Sequence, residues 1–319
     1  MKGHKMIKKF IAAILLALIF SPFGSTVMAA QKVTLMLDWF PNVDHLPIYV
    51  ARHQGLFAEQ GLDIEILSPS DTSDALKLAA AGQVDIAISY EPQTIIAAAR
   101  GLEILVLGRL IEHPLTTLLF LKGKGIETPA DLVGKKIGYT VPGLMDVLLD
   151  AFARLNGIEN YSAINVGFSI VQSLTAGKVD AVMGPFKTYE TVTMSHKGYD
   201  VGYFELEKWG IPDYDELILV TSKKTMKKRQ TAMLKVSRII DQAIQYVRAN
   251  PGIALQQYFQ EVPEADRNIE RDAFQLTLPY YARRQAVDVK QWQEFADFAL
   301  EYGLIERAVN VRSIILQME

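Results

Sequence analysis

Cysteine is absent from all 319 residues, so the chain folds without disulfides and must rest on a core large enough to do so. The same absence removes the lipid-modified cysteine that commonly tethers exported proteins in bacteria without an outer membrane. Excess charge is also missing. A formal charge of −3 with half the residues apolar gives no electrostatic reason to expect nucleic acid or an anionic membrane as partner. No segment beyond the first 30 residues reaches the roughly 18 uninterrupted apolar residues of a membrane-spanning helix. Catalytic signatures are lacking as well: there is no G-x-S-x-G elbow, complete P-loop or G-x-G-x-x-G, and His45, His53, His113 and His196 fit no metal-ligand spacing.

The start of the chain carries a basic stretch, "MKGHKMIKKF", then the apolar "FIAAILLALIF", then the small-residue segment "SPFGSTVMAA". This order is that of a cleavable signal peptide. Val27 and Ala29 occupy the two small-residue positions, so cleavage is expected after Ala29, leaving 319 − 29 = 290 residues. A free periplasmic protein is the expectation.

Further on, short runs rich in Val, Ile and Leu alternate with helical patterns. Residues 33–37, 63–67, 84–88 and 104–107 read as strands, and 47–54 and 74–81 as helices stopped by Gly55 and Gly82. Such alternation predicts an α/β fold with a mostly parallel sheet. Two segments, "ALKLAAAGQVDIAISYEP" (75–92) and "IVQSLTAGKVDAVMGPFK" (170–187), share a helix, an Ala-Gly turn, a Val-Asp pair and an apolar strand. Gly82 and Gly177 are offset by 177 − 82 = 95 residues, which predicts two similar lobes rather than a solenoid. "GIETPADLVGKKIGYTVPG" opens the second lobe with a capped short helix and a strand at 136–139. The chain turns helical from about Arg229, with breaks near Pro251 and Pro263, and the basic run from Lys223 to Arg229 reads as a solvated face.

The segments "LDWFPN", "YVARHQGLFAEQGLDIEI", "AAGQVDIAIS" and "TPADLVGKKIGY" together resemble the periplasmic solute-binding proteins of ABC importers. The resemblance is to the branch that carries thiamine pyrimidine precursors and is related to fungal pyrimidine synthases. It implies a two-lobed type II periplasmic binding fold with two crossover segments, near 113–122 and 213–221, and a helical C-terminal part. Residues 30–115 and 220–319 would form one lobe and 116–219 the other. It further implies a monomer that captures a small heteroaromatic ligand between the lobes and delivers it to an ABC permease, without a cofactor or metal. Riboflavin or a sulfonate are the alternative ligands.

Candidate ligand residues follow from where strands end, because ligands of open α/β sheets bind beyond the carboxyl ends of strands. Past the first strand come Asp38, Trp39, Asn42 and His45. Trp39 offers a face for stacking and Asn42 both donates and accepts; alternatively, Trp39 fills the core, Asn42 caps the turn and His45 prepares the helix at Pro47. "ISYEPQ" supplies Tyr90 and Glu91, the latter equally suited to starting a helix. The second lobe offers Tyr139, free N–H groups near Gly143 and Leu144, and "GPFKTYE" with Phe186, Tyr189 and Glu190. A buried Glu190 would bond an aminopyrimidine; an exposed one would do nothing.

The resemblance also raises an enzyme as the alternative, since the fungal relatives build the thiamine pyrimidine from pyridoxal phosphate and one of their own histidines. Their pattern implies a lysine at the end of the strand after the Val-Asp pair, a histidine four residues later, and a cysteine-rich segment. Here Ser89 and Gln93 occupy those two positions and cysteine is absent. A serine forms no Schiff base, so a binding protein is expected.

Overall fold

The computed structural model describes residues 30–316, and the expected leader at 1–29 lies outside them. The chain lays down β1 (Gln31–Met36), β2 (Leu62–Leu67), β3 (Ile86–Ser89) and β4 (Ile104–Ile111) in a first sheet. It then builds a second from β5 (Thr116–Leu121), β6 (Lys136–Tyr139), β7 (Ser162–Asn165), β8 (Ala181–Phe186) and β9 (Val201–Glu205), before β10 (Leu217–Ser222) rejoins the first. The fold is a two-lobed α/β architecture with two crossings, at 112–115 and 206–216, the first shorter than the sequence suggests and the second beginning earlier and running longer.

The two sheets run in the orders β2-β1-β3-β10-β4 and β7-β6-β8-β5-β9. These are the same order with β6 standing for β1 and β5 for β10, so the weak repeat in the sequence is a repeat of topology. Its Val-Asp pair has a structural role. Asp85 Oδ2 accepts from Thr34 N at 2.9 Å and Asp180 Oδ2 accepts from Lys136 N at 2.9 Å, each carboxylate tying its strand to the neighbouring parallel one.

The expectation of mostly parallel sheets needs correction, because both are mixed: β10 runs antiparallel to β3 and β4, and β5 antiparallel to β8 and β9. Strands that enter a sheet from the other lobe are not returned by a helix. They escape the right-handed βαβ connection that enforces parallel pairing.

The helix Asp74–Ala81 stops at Gly82, whose φ of 70° lies in the left-handed region that glycine adopts without penalty. The C-terminal part holds the helices Lys223–Ala249, Pro251–Glu261, Arg267–Thr277 and Val289–Glu301. The first begins at Lys223, capped by Ser222 Oγ accepting from Thr225 N, and breaks helical geometry at Arg229. Arg229 is not part of a merely solvated face: its guanidinium pairs with Asp85 and the Lys32 carbonyl. Most buried apolar residues form one core, and a smaller cluster of Leu119, Ile170, Leu174, Val179, Val182 and Met194 lies under the second sheet. Trp39, from the first lobe, packs against that smaller cluster.

Candidate functional site

The carboxyl ends of β1, β3, β6 and β8 converge, and the start of antiparallel β10 joins them with Leu217. Between them lies a narrow cleft of about 370 Å³, open solvent at its mouth included, in the position expected for a ligand of an open α/β sheet. Asp38, Trp39, Asn42, His45, Tyr90, Phe186, Tyr189 and Glu190 line it, as do Asp44, Thr140, Ile170, Gly184 and Leu217. A wider groove of about 970 Å³ beside Arg100 and Arg307 holds none of the sequence-predicted residues.

Asp38 organises the first-lobe wall. Its Oδ1 meets His45 Nε2 at 2.8 Å and its Oδ2 accepts from Tyr90 Oη at 2.7 Å, all three groups being buried. His45 Nδ1, on the far side of the ring from Asp38, has no partner among the described residues. Burial, reinforced by Asp38, pushes the Tyr90 hydroxyl well up, so it acts as a donor. Asn42 caps the turn Val43–His45, its Oδ1 accepting from Asp44 N at 2.8 Å. That is the plainer of its two expected roles, and it coexists with a place on the cavity wall.

Trp39 meets Phe168 edge-on with ring centroids 4.6 Å apart, and Phe168 in turn contacts the exposed Phe40. A second link across the lobes runs from Thr72 Oγ1 to the Thr140 carbonyl at 2.7 Å. Thr140 approaches so closely that a Cβ on Gly184 would lie 2.0 Å from its Oγ1, which is why β8 carries glycine there.

Glu190 is half-buried on the cavity wall. Its Oε2 accepts from Phe186 N at 2.7 Å, and burial pushes its carboxyl up to about 7. Tyr189 Oη donates to Glu270 Oε1 at 2.7 Å, and Glu270 Oε2 accepts from Val43 N at 2.9 Å. One buried carboxylate on the helix Arg267–Thr277 thus joins both walls. Burial also raises Glu270, and the crossover residue Glu216, to about 7 each.

Three sequence-predicted residues are placed elsewhere. Glu91 sits at the crossing, Oε2 accepting from Asp215 N at 2.7 Å, because the helix it starts points into the hinge rather than the cavity. Tyr139 packs against the apolar core, and its neighbour Thr140 faces the cavity instead, the one-residue alternation of a strand. The Gly143 N–H is not free: it donates to Asp146 Oδ1 at 2.6 Å, and Leu144 N bonds the Val141 carbonyl. Sequence reasoning missed Asp44 and its supports Glu270 and Thr277. Asp44 lies inside the quoted first-strand segment, whereas the other two are more than two hundred residues distant, with no spacing to announce them.

Glu190, Glu216 and Glu270 hold protons more tightly folded than unfolded, their folded values of about 7 standing above the ordinary 4.5. Their contribution to stability is complete below the unfolded value and is lost as pH rises through about 7. The ligand-free protein should melt at a higher temperature near about pH 5 than near about pH 8. Circular-dichroism melts with no such difference would mean that other groups govern its acid response.

Electrostatically the cavity is one-sided. Asp38, Asp44 and Glu190 face it, and among the described residues no lysine or arginine lines it. Lys187, between Phe186 and Tyr189, is held away by Glu205 at 2.9 Å and Glu207 at 2.8 Å. No group of described residues is arranged to hold a metal ion. Acceptors and aromatic faces without cations suit a flat ligand that presents N–H donors.

Comparison with known proteins gives a consistent picture. The sequence pattern of the family described as NMT1/THI5 like matches residues 42–254. A Haemophilus influenzae protein named for thiamine biosynthesis is 36% identical over 295 residues, covering 91% of this chain and 93% of its own. The formylaminopyrimidine-binding protein of Halalkalibacterium halodurans is 28% identical over 319 residues, 97% of each chain. A 4-amino-5-hydroxymethyl-2-methylpyrimidine phosphate synthase of Saccharomyces cerevisiae is 28% identical over 291 residues, covering 87% of this chain and 85% of its own. Among solved structures, the alkanesulfonate-binding protein of Xanthomonas axonopodis pv. citri bound to MOPS superposes with a TM-score of 0.73 at 15% identity, over 91% of this chain and 100% of that one. That likeness establishes the periplasmic-binding-protein fold.

Proposed function

The chain belongs to the NMT1/THI5-like family, and from that premise we propose that it is an exported solute-binding protein that captures a thiamine pyrimidine precursor and hands it unchanged to an ABC permease. The observation that carries the reading is the cavity's lining: three carboxyl groups, the four rings of Trp39, Tyr90, Phe186 and Tyr189, and, among the described residues, no lysine or arginine. An aminopyrimidine offers a ring to stack and N–H groups to donate, and it brings no negative charge. A sulfonate would meet carboxyl groups and no lysine or arginine, which makes that alternative the weaker one despite the shared fold. Riboflavin, with a far larger ring system, would have to part Trp39 from Phe168.

In this reading the lobes are 30–115 with 220–319, and 116–219, and they close on the ligand as a monomer. The relative from Halalkalibacterium halodurans, named for binding a formylaminopyrimidine, supports the ligand class. The yeast synthase is the relative that favours an enzyme instead. Against it stand Ser89 and Gln93, which bond each other at 2.9 Å and offer neither a Schiff-base amine nor an imidazole.

Calorimetric titration with a formylaminopyrimidine, hydroxymethylpyrimidine, riboflavin and taurine tests the reading. The pyrimidines should bind and taurine should not; the reverse order would replace the ligand. Trp39→Ala should weaken pyrimidine binding about threefold to tenfold through lost stacking. Glu190→Gln should weaken it about tenfold or more through a lost charge-assisted bond. Neither should unfold the protein, and wild-type affinity in both would assign these side chains to the scaffold.

A further inference from the structure

We propose that Asp44 reads the exocyclic amine of the ligand, its Oδ2 accepting an N–H at the floor of the cavity. The assignment rests on the pyrimidine reading above and adds to it a residue that discriminates among rings.

Asp44 is fully buried and yet lines the cavity. Its other polar atoms are engaged: the backbone N–H donates to Asn42 Oδ1 at 2.8 Å, and Oδ1 accepts from Thr277 Oγ1 at 3.1 Å. Oδ2 alone has no hydrogen-bond partner among the described residues. A buried oxygen left in that state is costly. A ligand donor arriving in the cavity would remove the cost, and only a ligand with an N–H or O–H at that point would do so.

The surroundings sharpen the choice. Glu190 faces Asp44 from the second lobe, Asp38 from the exit of β1 and Glu270 from the helix Arg267–Thr277, while Tyr281 lies behind it; His45 is its chain neighbour. No lysine or arginine is among them. Burial first, and then these negative neighbours, push the Asp44 carboxyl well up. A neutral carboxyl both donates and accepts, and an aminopyrimidine edge presents an N–H beside a ring-nitrogen acceptor. A 4-oxo or 4-methyl ring lacks that pairing.

The competing account makes Asp44 a tether for Thr277 and nothing more. A double-mutant cycle between protein and ligand separates the two. Dissociation constants are measured by calorimetry for 4-amino-5-hydroxymethyl-2-methylpyrimidine and for the same ring with methyl in place of the amine, on the wild type, Asp44→Ala and Asp44→Asn. The wild type should prefer the amine by about thirtyfold or more, and Asp44→Ala should reduce that preference to about threefold or less. Asp44→Asn guards against misfolding of the alanine variant. Thr277 keeps the acceptor oxygen on its own side, so the asparagine NH2 would face the ligand amine and abolish the preference too. Equal losses for both rings in the folded variants, or a wild-type preference below about threefold, would overturn the assignment while leaving the pyrimidine reading intact. Failure of the amine-bearing ring to bind the wild type would overturn both.

Discussion

Arg109→Met is expected to destabilise the protein by about 3 to 5 kcal/mol, the usual cost of removing one partner from a buried ion pair. In a chain of this size that lowers the melting temperature by roughly 10 °C. Arg109 lies in β4 just before the first crossing and is almost fully buried. It donates to Asp215 Oδ1 at 3.0 Å, meets Glu112 Oε2 at 3.3 Å and reaches the Arg284 carbonyl at 3.2 Å. Asp215 belongs to the returning crossover and is held on its other oxygen by Trp292 Nε1 at 2.7 Å. Glu91 closes the group by accepting from Asp215 N, and burial with Asp215 alongside pushes its carboxyl well up, so it adds little charge of its own.

The Arg109 guanidinium therefore pairs with both carboxylates where the two crossings and the C-terminal helices meet, and Arg283 adds a second, more exposed contact to Glu112. Methionine keeps the stem and removes the charge, leaving Asp215 buried without its cationic partner and Glu112 with only the more exposed Arg283, at 3.4 Å. Adding Asp215→Asn to Arg109→Met should restore part of the loss, because the uncompensated charge goes with it. Denaturant unfolding of the two variants checks this; a double variant as unstable as the sum of the singles would mean that the arginine acts through packing alone.

This hub shows how far the sequence can be read. Strand ends are legible because the apolar runs are short and bounded. The rule that ligands lie beyond those ends suffices to bring Asp38, Trp39, Asn42, His45 and Tyr90 to one wall and Phe186, Tyr189 and Glu190 to the other. Glu91 follows Tyr90 directly and is drawn into the hinge instead, since a helix starting at that residue turns successive side chains to different faces. Tyr139 and Thr140 differ by the same one-residue step along a strand, and no composition or spacing decides which of them faces inward. The supports Glu270 and Thr277 come from a helix whose docking against the turn Val43–His45 is a tertiary event. The mixed strand directions were hidden for a related reason: parallel pairing follows from helical returns, and β5 and β10 arrive without them.

The phosphate ester of hydroxymethylpyrimidine, and pyridoxal phosphate, should bind at least about a thousandfold more weakly than the unphosphorylated aminopyrimidine. A phosphate monoester brings a charge of about −1.5 to −2 near neutral pH. Burying it beside Asp38, Asp44 and Glu190, with no lysine or arginine on the lining, leaves the dianion desolvated and uncompensated at a cost of several kcal/mol, and about 4 kcal/mol is a thousandfold in affinity. Among the described residues that line or flank the cavity, no built anion site offsets this: the Gly143 N–H is engaged by Asp146, and Lys187 by Glu205 and Glu207. The expectation separates capture from synthesis, because an enzyme that consumes pyridoxal phosphate and releases a phosphorylated pyrimidine must hold a phosphate. At the synthase positions Ser89 Oγ bonds Gln93 Oε1 and Thr94 Oγ1, so no amine is present to take the aldehyde. Competition calorimetry gives the ratio directly, and an absorbance scan with pyridoxal phosphate would reveal an imine. A phosphate ester that binds within about tenfold of the free alcohol, or an imine band on mixing, would return the chain to the enzymes of its family; a ratio beyond about a thousandfold keeps it among the binders and explains why its cavity carries acids where a phosphate reader needs bases.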